Sequence, residues 1–224
     1  MNTFLLRLVA CLFVVVSSSS HAALYDRGNG LIYDDVLDIT WMQDANYAHT
    51  SGYDVANAVV GTYGSYYIAP GGRMGWEAAN AWAAQLEYAG YDDWRLASAG
   101  NAPAFGYNAT DGELGHMYYN NLGMTAGTSI SHNMSFTDAT PGGGTESFLN
   151  VQSYAYWYGE EYANEIAWGF HTSYGRVDAN SKSDSNFTWA VRDGDVSSVP
   201  VPAAAWLFGS ALAGLLVARS KNKE

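Results

Sequence analysis

The apolar residues of segment 75–98 recur at intervals of three and four, which is the spacing of an amphipathic helix. Several alanines in the same segment favour the helix locally. Gly90 follows the apolar run, at the kind of position where a helix ends in a left-handed residue. The pattern therefore predicts a helix with one buried stripe, made of Trp76, Ala79, Trp82, Ala83 and Leu86.

A short strand is predicted directly after this helix. Trp94 and Leu96 point to one side of an extended chain, and Arg95 points to the other side. Because the protein is acidic, we expect Arg95 to reach a carboxylate. We also expect Trp82 to be buried against a sheet. The helix, the turn and the strand together predict a unit around which the core is organised.

Elsewhere the pattern predicts short strands. Residues 24–41 are typical of two strands joined by a turn at "RGNG" or at "YDDVLD". Segments 153–162 and 165–173 alternate aromatic and small residues, as paired strands do. Segment 174–182 predicts a following hairpin or edge strand, and segment 187–196 predicts the last strand. The residues expected in the core from these strands are Trp157, Trp168 and Trp189.

Two segments rich in small and polar residues have no period, so we predict loops over 49–75 and 125–150. Between them, segment 111–123 has the pattern of a short helix. The residues expected to face inward from this helix are Leu114, Met117 and Tyr118.

The composition is acidic and aromatic. The 224-residue chain is 15% aromatic, with 17 Tyr and 8 Trp. Residues 23–198 hold 21 of the 22 acidic residues but only 6 of the 10 basic ones. This balance argues against nucleic-acid binding, which needs a basic surface. It fits a solvated extracellular surface or one that recruits divalent cations, and solubility alone explains it equally well.

Two groups of residues have the types that bind metals. Asp34, Asp35 and Asp38 lie close in sequence, but they lack the glycine and the terminal glutamate of an EF-hand loop, so ordinary turn carboxylates are favoured. Glu113 and His116 have the Glu-x-x-His spacing of carboxylate-bridged metal sites. Those sites need a second such motif, so the sequence favours a surface histidine on a short helix.

The motifs of nucleophilic and metal-dependent hydrolysis are absent. The chain has no Gly-x-Ser-x-Gly elbow, no glycine-rich phosphate loop before a helix and no His-Glu-x-x-His. The single cysteine, Cys11, lies in a segment that we expect to be removed, so no disulfide and no thiol chemistry is predicted.

Three segments carry a resemblance to a known family. The stretch "GWEAANAWAAQLEYAGYDDWRLAS" is similar to the helix–turn–"DWRLP" signature of the DUF1566 domain, also called the Lcl C-terminal domain, with Ala97 in place of the usual proline. Residues 26–48 resemble the family's opening strand pair, and residues 187–196 resemble its closing strand. The resemblance spans roughly residues 24–196. It implies an α+β, C-type-lectin-like fold in which short antiparallel strands pack on a central amphipathic helix, with long loops.

The same resemblance bears on cofactors. The calcium-dependent sugar site of C-type lectins uses Glu-Pro-Asn or Gln-Pro-Asp together with Trp-Asn-Asp, and the chain contains none of these. We therefore predict no cofactor, and calcium stays an alternative without a motif to support it.

The two ends of the chain have the patterns of targeting segments. Residues 1–22 are typical of a secretory signal peptide, with Arg7, an apolar run and a Ser-His-Ala cleavage site. Residues 198–224 contain Val-Pro-Val-Pro-Ala, an uncharged run over 203–218 and a basic tail, which is typical of a transmembrane segment with a cytoplasmic end. The domain itself is expected over 23–197.

The C-terminal segment resembles the VPxPA-type variant of the PEP-CTERM sorting signals. The resemblance implies processing by signal peptidase and by an exosortase-like membrane protease in a Gram-negative bacterium, and an association with extracellular polysaccharide. It predicts an exported protein with a membrane-anchored precursor, which then reaches the cell surface or the extracellular matrix. A plain single-span anchor remains the alternative.

We expect a non-enzymatic cell-surface or matrix module that binds polysaccharide or another envelope polymer. The alternatives are a structural surface protein with no small ligand, and an Asp/Glu-dependent glycoside hydrolase. Aromatic rings stack on the apolar faces of sugars, while carboxylates and amides bind hydroxyl groups. A hairpin exposed to water explains the same pattern. The candidate ligand-binding residues are Tyr158, Glu160, Glu161, Tyr162, Asn164 and Glu165.

Overall fold

The computed structural model describes residues 23–59, 64–130 and 132–196. The predicted signal peptide, residues 1–22, and the predicted sorting segment, residues 198–224, lie outside the described residues. Within the described ranges, every helix is too short or too polar to cross a lipid bilayer.

The described chain consists mostly of strands, with a few small helices. The strands are β1 (Leu24–Gly28), β2 (Leu31–Asp34), β3 (Ile39–Met42), β4 (Ile68–Ala69), β5 (Arg73–Met74), β6 (Arg95–Leu96), β7 (Gly106–Tyr107), β8 (Met134–Thr137), β9 (Thr145–Phe148), β10 (Ala155–Ala163), β11 (Ile166–His171), β12 (Arg176–Ser181) and β13 (Ala190–Asp193). The helices are α1 (Tyr47–Thr50), α2 (Tyr53–Ala56), α3 (Trp76–Ala84) and α4 (Glu113–His116), and a π-helical turn (Met117–Asn121) follows α4.

A five-stranded antiparallel sheet in the order β1-β2-β3-β13-β6 brings the two ends of the described chain together. The sequence pattern predicted two strands and one turn over residues 24–41, whereas the structure has three strands and uses both turns. Asn29 and Asp38 make this arrangement feasible, because each takes a left-handed conformation, with φ of 54° and 52°. Asparagine and aspartate tolerate that conformation better than most other non-glycine residues.

A four-stranded antiparallel sheet in the order β10-β11-β12-β7 contains the predicted pairing of 153–162 with 165–173. Both faces of this sheet are covered along β10 and β11, so residues 155–158 and 167–170 are all buried. The core prediction for the three tryptophans is confirmed. Trp157, Trp168 and Trp189 are exposed by only 0%, 7% and 1%.

Helix α3 packs where the two sheets approach each other. Trp82 on this helix is 1% exposed, and the indole N–H of Trp76 donates to the carbonyl of Tyr158 on β10 at 2.9 Å. The predicted buried stripe is confirmed at Ala79, Trp82 and Ala83. The helix ends at Ala84, so the expectation that it runs to Gly90 was wrong.

The chain after α3 forms a turn of its own, which explains the early end of the helix. The backbone groups of Tyr88 and Tyr91 bond each other reciprocally at 3.0 Å. Gly90 closes this turn with a φ of 87° rather than capping the helix.

Both segments predicted as loops contain hairpins. Segment 49–75 holds α2 and the pair β4–β5, and segment 125–150 holds the pair β8–β9. The second hairpin is anchored by aromatic packing, since the rings of Phe136 and Phe148 lie 5.2 Å apart. These strands have two to four residues, which is too short for a sequence period to reveal.

Candidate functional site

The hairpin of β10 and β11 carries the six residues predicted to bind a ligand, and the structure divides them between core and surface. Tyr158 is in the core with an exposed fraction of 0%. Its hydroxyl accepts a hydrogen bond from the backbone N–H of Gly115 at 3.2 Å, and burial raises the pKa of that hydroxyl above its usual range. Tyr158 therefore supports the hairpin from inside and does not itself face a ligand.

Glu160 lines an open cleft of about 460 Å³ beside the hairpin. One of its carboxylate oxygens accepts from the Ser98 hydroxyl at 2.6 Å, and the other accepts from the Ala99 backbone N–H at 2.7 Å. These bonds fix Glu160 to the chain that follows β6. The carboxylate is thus held in place as an acceptor at the wall of the cleft.

The expectation that Arg95 reaches a carboxylate is confirmed in the same cleft. Its guanidinium donates two parallel hydrogen bonds of 2.8 Å to Glu113 and also donates to Asp193. Glu113 additionally accepts from the backbone N–H of Ser98 at 2.6 Å. Burial opposes the charge of Arg95, but the two carboxylates outweigh it and raise the pKa of Arg95. The cluster links β6, α4 and β13.

His116 is buried rather than on the surface, so that part of the sequence interpretation was wrong. It is 7% exposed, and its Nδ1 accepts from the side-chain amide of Asn120 at 2.8 Å. Burial lowers the pKa of His116, opposed by the nearby charge of Asp34. Glu113 is bonded to Arg95 and His116 to Asn120, so the two residues do not act as a pair. The π-helical turn after α4 brings Asn120 next to the imidazole ring.

Glu161 is exposed to solvent but forms an ion pair with Lys182. The ammonium of Lys182 forms a very short contact with its carboxylate and lies 3.4 Å from the carboxylate of Glu77. The same ammonium sits 4.3 Å from the centre of the Trp76 ring, in a cation–π arrangement. Lys182 therefore fastens the hairpin to the first turn of α3.

Tyr162 belongs to an aromatic cluster at the surface. Its ring lies 5.2 Å from Phe105 and 4.9 Å from Trp168, in both cases edge to face. Tyr162 is 49% exposed and Phe105 50% exposed, whereas Trp168 is 7% exposed and lies beneath them. We refer to Phe105, Tyr162 and Trp168 as the aromatic cluster.

Asn164 and Glu165 form the tip of the hairpin next to the aromatic cluster. Both are exposed, and Glu165 adopts a left-handed conformation with a φ of 60°. The carbonyl of Glu165 accepts from the backbone N–H of Lys182 at 2.9 Å, which fixes the tip. Tyr162, Asn164 and Glu165 are thus all exposed and follow one another closely at the end of the hairpin.

Phe105 was missed by the sequence reasoning. It stands in an irregular segment just before β7, where no period assigns it to a face. The local signal is limited to two large aromatic residues, Phe105 and Tyr107, within a stretch of otherwise small and polar residues, "NAPAFGYNATDG". Its contact with Tyr162 joins residues 57 positions apart, which a local pattern does not reveal.

The aspartates at the turn between β2 and β3 accept hydrogen bonds from backbone and side-chain donors. Asp34 is fully buried and accepts from the backbone N–H groups of Val36 and Leu37 and from the amide of Asn121. Across the described part of the chain, no cluster of three or more His, Cys, Asp and Glu residues could hold a metal ion.

The comparisons with known proteins give one match. The family model described as "Lcl C-terminal domain" matches residues 30–192. No curated protein and no solved structure matches the chain.

Proposed function

The chain belongs to the Lcl C-terminal domain family, and from this premise we propose that it is an exported, non-enzymatic module that binds a polysaccharide. Its binding surface in this proposal is the aromatic cluster together with the hairpin tip. The proposal includes a C-type-lectin-like fold for the domain. It also includes a PEP-CTERM-type signal, handled by an exosortase-like protease, that takes the protein to the cell surface or matrix.

The observation that supports this function is the exposure of two neighbouring rings. Phe105 and Tyr162 each leave about half of their surface in water, although Trp168 beneath them is buried. Exposed contiguous aromatic surface is unfavourable unless a partner covers it. Aromatic rings of this kind stack on the apolar faces of sugar rings, and they are held rigid here by their contacts with one another.

The polar groups beside the aromatic cluster can form hydrogen bonds with the hydroxyl groups of a sugar. Asn164 offers an amide donor and acceptor, and Glu165 offers carboxylate acceptors. A few polar groups around an aromatic surface fix the orientation of a ligand that the rings hold.

The charge distribution favours a neutral polymer over an acidic one. Among the described residues, all basic side chains but Arg73 are in ion pairs with carboxylates. Arg73 itself lies 5.6 Å from the ring centre of Tyr154, away from the cluster. An acidic polysaccharide would therefore find no uncommitted cation near Tyr162, and it would be repelled by the net negative charge.

The cleft gives less support to glycoside hydrolysis. That reaction needs a pair of carboxyl groups that face the scissile bond. Glu160 accepts from a hydroxyl and a backbone N–H, and Glu113 is bound by Arg95, so both carboxyl groups of the cleft already have hydrogen-bond partners within the protein. The geometry favours binding without turnover.

A glycan array with the purified protein, with and without calcium, tests the proposal. We expect binding of neutral polysaccharides, weakened in a Phe105→Ala, Tyr162→Ala double variant. Tyr66→Ala is the matched control, because Tyr66 is 68% exposed and lies outside the cluster. Release of reducing ends would instead indicate a hydrolase, and absence of both binding and release would indicate a structural protein.

A further inference from the structure

A groove lies between the two small helices α1 and α2 and the C-terminal end of α3. It encloses about 400 Å³, which is within the range of small-molecule sites. Its lining combines aromatic rings with amide and carboxylate groups. The residues that matter for its chemistry are Tyr47, Tyr53, Asn57, Trp82, Gln85 and Glu87.

The polar groups in the groove are held in position before any ligand arrives. The Gln85 amide donates to the Tyr53 hydroxyl at 2.7 Å, and the Asn57 amide donates to the Tyr53 carbonyl at 3.0 Å. Both amides use an N–H group as the donor in these bonds, so their carbonyl oxygens remain as acceptors, and the Tyr53 hydroxyl, which accepts, still has its own proton to donate. A site whose groups are already ordered loses less conformational entropy on binding.

Asp54 anchors helix α2, which forms one wall of the groove. This side chain is fully buried, and it accepts from the backbone N–H groups of Gly71 and Gly72 and from the ring of His49. Burial disfavours the charged form, but these hydrogen bonds outweigh burial and lower the pKa of Asp54. The carboxylate therefore ties α2 to the turn between β4 and β5.

The chemistry of the groove selects a neutral ligand rich in hydroxyl groups. Glu87 and the amide oxygens of Asn57 and Gln85 are acceptors, and the Tyr53 hydroxyl is a donor. Among the described residues that line the groove, none is a lysine or an arginine, so these residues offer no cationic partner to a phosphate or a carboxylate. Tyr47 and Tyr53 supply the aromatic surface that stacks on a sugar ring.

We propose that this groove is a second carbohydrate site, which takes a unit of a neutral polysaccharide. The inference rests on the proposed function for the class of its ligand, but it concerns a different surface. Helix α3 separates the two sites. Its first turn is fastened to the hairpin through Glu77 and Lys182, and Gln85 follows its last residue. Nine helical residues span about 13 Å. One domain would thus hold two segments of polymer.

Isothermal titration with neutral tetrasaccharides tests the second site. The probes are cellotetraose, maltotetraose and the tetramer of N-acetylglucosamine, and a glucuronic acid oligomer is the acidic comparison. We expect two binding sites per chain for a neutral probe and none for the acidic one. The absence of binding by all three neutral probes would overturn the inference.

Variants in the groove show which of the two binding events takes place there. Gln85→Ala with Glu87→Ala changes exposed groove residues, and we expect the stoichiometry to fall from two sites to one. Tyr53→Phe keeps the ring and removes the hydroxyl, so affinity at the groove should fall about three- to tenfold. Tyr174→Phe, at a tyrosine outside the groove, is the control and should change neither value.

The outcomes separate this inference from the proposed function. If the Phe105→Ala, Tyr162→Ala variant loses all binding and the groove variants lose none, the groove is not a site although the proposed function stands. If only the groove variants lose binding, the aromatic cluster is not a site although the groove inference stands.

Discussion

Arg95 and Glu113 are joined by two parallel hydrogen bonds of 2.8 Å, and this pair links the edge strand β6 to helix α4. The Arg95 side chain is 35% exposed and that of Glu113 is 12% exposed. Such a bidentate pair is geometrically specific, and removing one partner leaves the other charge poorly compensated.

Arg95→Leu should therefore destabilise the domain by about 2 kcal/mol, less than for a fully buried pair because part of Arg95 is in water. Arg176→Leu is the matched control, since Arg176 is 41% exposed and pairs only with Asp178 two residues away. Its cost should be about 0.5 kcal/mol or less. Urea unfolding measures both values, and equal midpoints for the two variants would contradict the role given to Arg95.

Trp82→Ala should reduce the free energy of unfolding by about 3–5 kcal/mol, because it removes a fully buried ring from the centre of the core. Tyr66→Ala, at an exposed ring, should change it by about 0.5 kcal/mol or less. Chemical denaturation of both variants checks the prediction. A loss below about 1 kcal/mol for Trp82→Ala would show that α3 is not central to the core.

Acid should weaken the fold through His116, which is buried, and His171, which is half-buried. Burial lowers the pKa of His116 and of His171 in the folded state, so the unfolded chain binds protons more readily. Their contribution to stability is complete above the unfolded pKa of about 6.5 and decreases as the pH falls below it. The melting temperature should thus drop between about pH 7 and pH 5, before the carboxylates titrate.

His116→Gln should make this drop shallower, whereas His132→Gln, at an exposed residue, should leave it unchanged. Melting curves recorded across the pH range compare the three proteins. Parallel curves for the parent and His116→Gln would mean that His116 does not contribute to the pH dependence.

The helix–strand unit could be predicted from sequence because its apolar residues are close together in the chain. Trp82, Trp94 and Leu96 follow a local period, and the structure buries all three. The pairing of β10 with β11 was predictable for the same reason, since a two-residue turn joins the strands.

Which face each hairpin residue occupies could not be predicted. A strand with one covered face alternates buried and exposed residues, but β10 is covered on both faces along residues 155–158. Tyr158 therefore lies in the core, although two similar aromatic residues, Tyr154 and Tyr162, are exposed. Contacts far apart in sequence, such as that between Lys182 and Glu77, decide which surfaces are free.

The affinity of the Phe105→Ala, Tyr162→Ala variant for a neutral polysaccharide decides whether the aromatic cluster is the binding surface. We predict that this affinity falls at least about tenfold, or about 1.4 kcal/mol, while the melting temperature stays within a few degrees of the parent. Tyr66→Ala should bind as the parent does. An unchanged affinity in the double variant, with the parent binding the same polysaccharide, would contradict the assignment of the aromatic cluster as the binding surface.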